Sequence, residues 1–341
     1  MRAPRPSDPD SAGRPASLIE RAGFAPAPPP VLPSAPMPAA ARETGAPPMP
    51  VPAARAALRP SSRPAPAAGG ALLALVHDGS DRGVLEAVEA GMAEALDGSV
   101  AALVVLALPN GDAAPRLRAF LQRHRPAGVV LLPPSPERTD LAHLCAEAGV
   151  PCARLGPARG HDGADGQHAI ASDERRAARD LVTWLVAQGH ARIGFVSGPE
   201  DSLAAQQREL GYLDAMADAG LDRGPALIVP GDDSFVSGIE AGRLLLEISP
   251  RPTAVVSSND EMAAGLLHAA AQMGVAVPGE LSVACIGDSA LLARTLPTLT
   301  AMHIPWDLMA AEAVRLVTGE DAPREMEFFA SLVVRDSVAA L

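Results

Sequence analysis

The residues best placed to do chemistry are polar side chains at the ends of apolar runs. Asp78 closes the run that begins "ALLALV", Ser258, Asn259 and Asp260 close "TAVVSS", and Asp288 follows "LSVACIG". Arg208 lies early in the amphipathic stretch after "RIGFVSG". In open α/β sheets ligands bind outside the carboxyl ends of the strands, which is where these residues fall. A carboxylate accepts, a guanidinium donates and an amide does both, so together they satisfy several hydroxyls. Trp306 and Phe235 offer flat surfaces for the apolar face of a ring, and the set suits a polyhydroxylated ligand. Each residue also has an ordinary reading. Asn259 and Asp260 are then helix caps, Arg208 a surface ion-pair partner and Trp306 core. Only the joint arrangement points to a pocket.

Other chemistries lack their residues. All 28 basic side chains are arginine, so there is no GxxxxGK[ST] phosphate loop. "HDGSDRG", after the first apolar run, lacks the tight glycine pair of a dinucleotide turn. Neither GxSxG nor HExxH occurs. "GHDGADGQH" (160–168) does not follow calcium-loop spacing and reads as a connector. His190 reads as a loop residue, and Cys145, Cys152 and Cys285 are too scattered for a disulfide framework or a CxxC site. The expectation is a protein that is not an enzyme, with no cofactor and no metal.

The elements that must position the site are legible from periodicity. Apolar runs at 71–76, 101–108, 128–132, 192–198, 226–230, 253–258 and 281–287 alternate with amphipathic stretches of helical spacing. In "DERRAARDLVTWLVAQG" (173–189), Ala177, Leu181, Trp184 and Leu185 share a face. Continuous apolar strands separated by helices predict an α/β fold with parallel sheets buried on both sides. Asp173 and Asp260 sit where a side chain caps a helix, and Pro305 and Gly319 bracket another. About 270 residues of this pattern divide naturally into two lobes.

The first 70 residues are different material. They hold 18 of the 35 prolines and only seven Leu, Ile, Val or Phe, a composition that predicts disorder. Eight arginines against four acids make this tail about +4, while the whole chain is −12. An acidic chain is a poor nonspecific partner for nucleic acid or an anionic membrane. No run reaches the ~18 apolar residues of a membrane span, and no signal-peptide pattern is evident, which places the chain in the cytoplasm.

From about Gly128 to Arg335 the sequence resembles the effector-binding core of the lactose-repressor/galactose-repressor family of transcription regulators. The stretches that carry the resemblance include "AGVVLLPPS", "AEAGVPCARLG", "ASDERRAARDLVTWLVAQGHARIGFVSGPEDS", "QQRELGYLDAM", "PTAVVSSNDEMAAGLLHAAAQMGVAVPGELSVACIGDS" and "LPTLTAMHIPWDLMAAEAVRLV". It implies a periplasmic-binding-protein-like core, 71–341, of two α/β lobes joined by three crossovers. Lobe one is then 71–170 plus 304–322, and lobe two 171–303 plus 323–341. It implies a sugar-like effector in the cleft, operator DNA as a partner, a repressor's role and a homodimer. Arg208 matches the arginine used on the effector, Asn259 and Asp260 the "ND" of the strand-to-helix turn, and Trp306 an aromatic of the cleft. Where an aromatic commonly follows "GD", this chain has Asp233, with Phe235 two positions later. Two family carboxylates are absent: Gly287 replaces the first aspartate of "GFDD", and Gly156 ends the fourth strand. Glucose, galactose and lactose are therefore expected to bind poorly.

The resemblance also implies a helix-turn-helix near the N-terminus. Faint echoes stand at "IERAGFAPAPPPV" (19–31) and "VPAARAALR" (51–59), but Pro26, Pro28, Pro29 and Pro30 fall where the recognition helix should run. Interior proline costs ~3 kcal/mol each in a helix. The expected chain is a regulator whose DNA-reading helix is lost or corrupted. The alternative is a stand-alone cytoplasmic small-molecule-binding protein that does not touch DNA.

Overall fold

The structure, a computed structural model, describes residues 71–79, 81–108, 112–132, 139–157, 167–319 and 325–341. The expected disorder of 1–70, the helix-turn-helix echoes and most of the "GHDGADGQH" connector lie outside the described residues.

The first lobe is built from β1 (Leu72–His77), α1 (Arg82–Ala95), β2 (Ala102–Ala107), α2 (Ala113–His124), β3 (Gly128–Leu131), α3 (Thr139–Glu147), β4 (Cys152–Pro157) and β5 (His168–Ser172). The second follows with α4 (Glu174–Ala187), β6 (Ile193–Ser197), α5 (Leu203–Asp218), β7 (Ile228–Pro230), α6 (Phe235–Glu247), β8 (Ala254–Ser257), α7 (Asp260–Gln272), β9 (Ser282–Ile286) and β10 (Thr300–His303). The chain then returns to the first lobe for α8 (Trp306–Thr318) and β11 (Glu325–Phe328), and ends on the second with β12 (Ser331–Val333). The sheet orders are β11-β5-β4-β3-β1-β2 and β12-β10-β9-β8-β6-β7. All pairings are parallel except β10 with β12.

The seven apolar runs all became strands. The central ones, β3, β6, β8 and β9, are buried along their whole length, as a sheet covered on both faces requires. β4, β5, β10, β11 and β12 carry no continuous apolar run, because Arg154, His168 and His303 interrupt and "EMEF" alternates. One core spans both lobes, from Leu73, Leu75 and Leu155 under α1 and α8 to Leu181, Phe195 and Tyr212 around α4 and α5. Smaller cores fill the opposite faces, under α2 and α3 in the first lobe and under α6 and α7 in the second.

The lobe boundaries differ from the expected ones. β5 continues in the first sheet to Ser172, so the first crossover falls at 172–173 and not after 170. β11 pairs with β5 in register Glu325↔Ala169 to Phe328↔Ser172, which keeps 325–328 in the first lobe. The chain therefore crosses back at 329–330, later than the expected 322–323. Helix punctuation needs one correction too. Asp173 caps α4, accepting the Arg176 N–H at 2.9 Å. For α7 the cap is Asn259, whose backbone is extended and whose Oδ1 accepts the Met262 N–H at 2.9 Å. Asp260 is already helical, and its carboxylate is free to turn elsewhere.

His190 is a structural residue. Its Nε2 lies 3.1 Å from the Ala339 carbonyl and its Nδ1 2.9 Å from Thr253 Oγ1, fastening the C-terminal segment to β8. A carbonyl only accepts, so Nε2 carries the proton and Nδ1 accepts from the hydroxyl. Burial lowers the imidazole's pKa, with the Ala339 bond working the other way. A lowered folded-state pKa contributes stability that is fully present above the unfolded value, ~6.5, and is lost as pH falls from there through the lower folded-state value. His190→Gln is expected to be less stable by about 2 kcal/mol at pH 7.5, for two hydrogen bonds of ~1 each. Urea melts at pH 7.5 and 5 should show that gap to the parent shrinking; a gap that widens on acidification would contradict the neutral, buried imidazole.

Candidate functional site

Arg208 is the centre of the site. It sits two turns into α5, only 8% exposed. Its Nε donates to Glu174 Oε2 at 2.7 Å and one terminal nitrogen donates to the Ser258 carbonyl at 2.6 Å. Glu174, 2% exposed at the start of α4, takes the Ser172 hydroxyl on its other oxygen at 2.6 Å. Burial works against the guanidinium's charge. The Glu174 carboxylate, with Asp233 and Asp81 farther out, outweighs it and holds the arginine above its ordinary pKa. A buried charge keeps its ionisation only where a partner offsets the lost hydration.

Around this pair stand carboxylates with weaker satisfaction. Asp233 occupies a left-handed turn at φ 67°, held by Asn259 Nδ2 donating to its carbonyl at 2.9 Å. Its own carboxylate accepts no hydrogen bond among the described residues. Burial pushes its pKa up to about 6; Arg208 pulls it down, while Asp81, Asp232 and Asp201 add repulsion. Asp260 is likewise raised to about 6, by burial first and by Asp81, against the bond its Oδ2 accepts from the Ser289 N–H at 2.7 Å. Its other oxygen lies beside Gly287: a Cβ there would stand 2.3 Å from Asp260 Oδ1. The carboxylate of Asp260 thus fills the space that a side chain at 287 would need.

Asp81 belongs to the first lobe, where it caps α1 by accepting the Val84 N–H at 2.9 Å. Its charge acts on Arg208, Asp233 and Asp260 in the second lobe, so the cap of α1 contributes to the electrostatics of these three residues. The lobes also approach at Gly83, where a Cβ would meet Ser289 Cβ at 3.1 Å. The floor of the second-lobe side is Gly198, at the end of β6. A Cβ there would meet Ala205 Cβ at 2.9 Å, Asp233 Oδ1 at 3.0 Å and Ser258 Oγ at 3.4 Å.

Of the residues singled out from sequence, the structure brings Arg208, Asp233, Asn259 and Asp260 together. Asn259 serves the turn with both ends of its amide, which is the capping reading. Asp78 is half-buried immediately after β1. Asp288 is turned to the C-terminal strand: Arg335 donates to its Oδ1 and His303 Nδ1 lies 3.5 Å from Oδ2. Burial would raise its pKa, but His303 and Arg335 bring it below the ordinary value. Trp306, 7% exposed, belongs to the core shared by the lobes. Phe235 lies against His268, ring centroids 5.7 Å apart, eight residues along α7 from Asp260. Neither aromatic is shown covering the carboxylates. Sequence reasoning missed Asp81, Glu174 and Gly198, although Asp81 carries the capping signal of a residue opening a helical stretch.

A family model for the periplasmic binding protein-like domain matches residues 182–338. The transcriptional regulator AscG of Escherichia coli K12 is 35% identical over 177 residues, covering 51% of this chain and 53% of AscG. The transcriptional regulator CelR of Thermobifida fusca is 32% identical over 228 residues, 65% of this chain and 66% of CelR. A solved CelR–cellobiose complex superposes with a TM-score of 0.68 at 28% identity, covering 80% of this chain and 86% of that one. The sequence matches span about half to two thirds of the relatives' own length. The order of strands, the crossovers and these similarities converge: this chain carries the effector-binding core of the lactose-repressor/galactose-repressor (LacI/GalR) family.

Proposed function

We propose that this chain is the sensing part of a transcription regulator, and that a small-molecule effector, a carbohydrate or a derivative, binds in the cleft between its lobes. The observation that carries the reading is the convergence of Arg208, Asp233, Asp260 and the Ser258 hydroxyl on one side of the cleft, with Asp81 opposite. AscG and CelR are transcriptional regulators, and the CelR structure holds cellobiose. Arg208, Asp233 and Asp260 form the inner contacts, with Asn259 fixing the turn. Asp78, Phe235, Asp288 and Trp306 complete the assignment as outer or supporting residues. The role is non-enzymatic. Among the described residues no helix is long and apolar enough to cross a membrane, which fits a regulator working in the cytoplasm.

Two features support a homodimer. Among the described residues β2, "ALVVLA", is an edge strand with Val105 exposed, an apolar edge of the kind that proteins ordinarily cover. Val236 and Leu244 on α6 are exposed as well.

Gly198→Val tests the pocket, because any side chain at 198 enters the space shared by Asp233 Oδ1 and Ser258 Oγ. Calorimetry against an effector found by screening is expected to show binding lost in this variant; retained affinity would move the site elsewhere. For DNA, an electrophoretic shift with the region upstream of the gene at ~150 mM salt is expected to show only weak, salt-sensitive contact from the basic tail. The prolines at 26 and 28–30 fall where the recognition helix is expected, and interior proline costs a helix ~3 kcal/mol each. Sequence-specific nanomolar binding would refute the loss of the reading helix.

A further inference from the structure

The charge left unpaired in the cleft is of one sign, although Arg208 keeps N–H donors that hydroxyls of the effector can use. Arg208 and Glu174 neutralise each other, and Arg208 has also spent a donor on the Ser258 carbonyl. What remains is Asp233, whose carboxylate accepts nothing among the described residues, Asp260, whose Oδ1 takes only a weak thiol contact from Cys285 Sγ at 3.9 Å, and the second oxygen of Asp81 in the facing lobe, the first being the cap of α1. The charged groups acting on Asp233 other than Arg208 are all acids. Those acting on Asp260 are Asp81 and the already paired Arg208.

A second observation is independent of these acids. Ser258 is 1% exposed and its Oγ is buried with no hydrogen-bond partner among the described residues. Buried hydroxyls are normally bonded, so an orphan marks a group awaiting a partner. It lies 3.4 Å from the Cβ position that Gly198 leaves empty, and Asp233 Oδ1 lies 3.0 Å from the same point. The orphan hydroxyl and the carboxylate without a described partner thus flank the same glycine, near enough for one ligand group to reach both. A group that donates several hydrogen bonds and carries positive charge satisfies both, and an ammonium does so with three donors. An anionic group would add a charge to acids that already repel one another.

We propose that the effector carries a protonated nitrogen, as an amino sugar or comparable hydroxylated amine does, seated between Asp233 and Ser258 with Asp260 as the second carboxylate. This rests on the reading of the cleft as the effector site. It also accounts for the raised carboxylates, since a bound cation returns them to the ionised form.

The test has two arms on the full chain. The first is a calorimetric panel of matched triplets: glucosamine, glucose and glucuronate; galactosamine, galactose and galacturonate; mannosamine, mannose and mannuronate. The amines are expected to bind at least about tenfold tighter than their neutral parents, a preference lost in Asp233→Asn. Acids binding best, or neutral parents equalling the amines, would overturn the charge inference and leave the effector reading standing. If no member binds, the sugar-sensor reading loses its support, and the second arm judges the charge alone. There, Ser289→Cys at the cleft mouth is labelled with a cationic and an anionic methanethiosulfonate reagent of similar size. The parent, whose cysteines at 145, 152 and 285 are buried, is the background. The cationic reagent is expected to react faster by about tenfold, a ratio that falls in Asp233→Asn/Asp260→Asn. Equal rates, or a faster anionic reagent, would overturn the proposal.

Discussion

Arg208→Ala is expected to cost the fold about 3–5 kcal/mol, the range for removing one member of a buried ion pair. The loss arises from what stays behind. Glu174 is 2% exposed, its Oε1 still faces Ser172, and without Arg208 its Oε2 has no described partner. The Ser258 carbonyl loses its donor at the same moment. A buried pair as a whole contributes far less than the penalty of breaking it, since both ions were desolvated to form it. Arg208→Met/Glu174→Leu should therefore recover most of the stability that Arg208→Ala loses, although it removes more polar atoms. Urea denaturation with unchanged m-values measures both. A single variant within about 1 kcal/mol of the parent would mean that water reaches Glu174, and that the pair is not the buried centre described.

The sequence made the strand-to-helix turns of the site readable because each is a local event. "TAVVSSND" is an apolar run closed by residues that cap a helix, and Asn259 does cap α7. The same holds for Asp173 ahead of α4. What could not be read is which partner each polar side chain chooses, since partners are distant in the chain. Glu174 lies 34 residues before Arg208, and Arg335 47 residues after Asp288. An aspartate at a strand end looks alike whether it faces a ligand or an arginine of the last strand. Asp260 looked like a cap for a related reason. An adjacent asparagine competes for that position, and only the extended backbone at 259 decides between them. Strand order was equally hidden. "ALVVLA" has the composition of a central strand and forms an edge, while "EMEF" looks solvated and forms the opposite edge of the same sheet. The aromatics were assigned to the cleft by their chemistry, but packing sends Trp306 into the core and sets Phe235 against His268.

Gly287→Asp, which supplies the carboxylate that the family resemblance leads one to expect at this position, is expected to destabilise the protein by about 3 kcal/mol or more. Gly287 has φ +121°, a region that costs an L-residue of order 1–3 kcal/mol. Its new Cβ would also arrive 2.3 Å from Asp260 Oδ1, well inside contact distance. Asp260 must then swing away and give up the Ser289 N–H, a hydrogen bond to a charged group worth ~1.5–3 kcal/mol. The two penalties can be separated. Gly287→Ala keeps the backbone cost and the clash but adds no charge. Gly287→Asp on an Asp260→Ala background keeps the backbone cost and removes the clash. The cycle of single and double variants should show the Gly287→Asp penalty falling by about 1–3 kcal/mol when Asp260 is absent, the coupling typical of side chains in direct contact. Additive effects, within about 0.5 kcal/mol, would show that the two side chains do not compete for one space. Coupling, by contrast, identifies Asp260 as the acid of this corner of the cleft. It explains why glycine stands at 287: the carboxylate is delivered from the start of α7, and a second one from the end of β9 has no room.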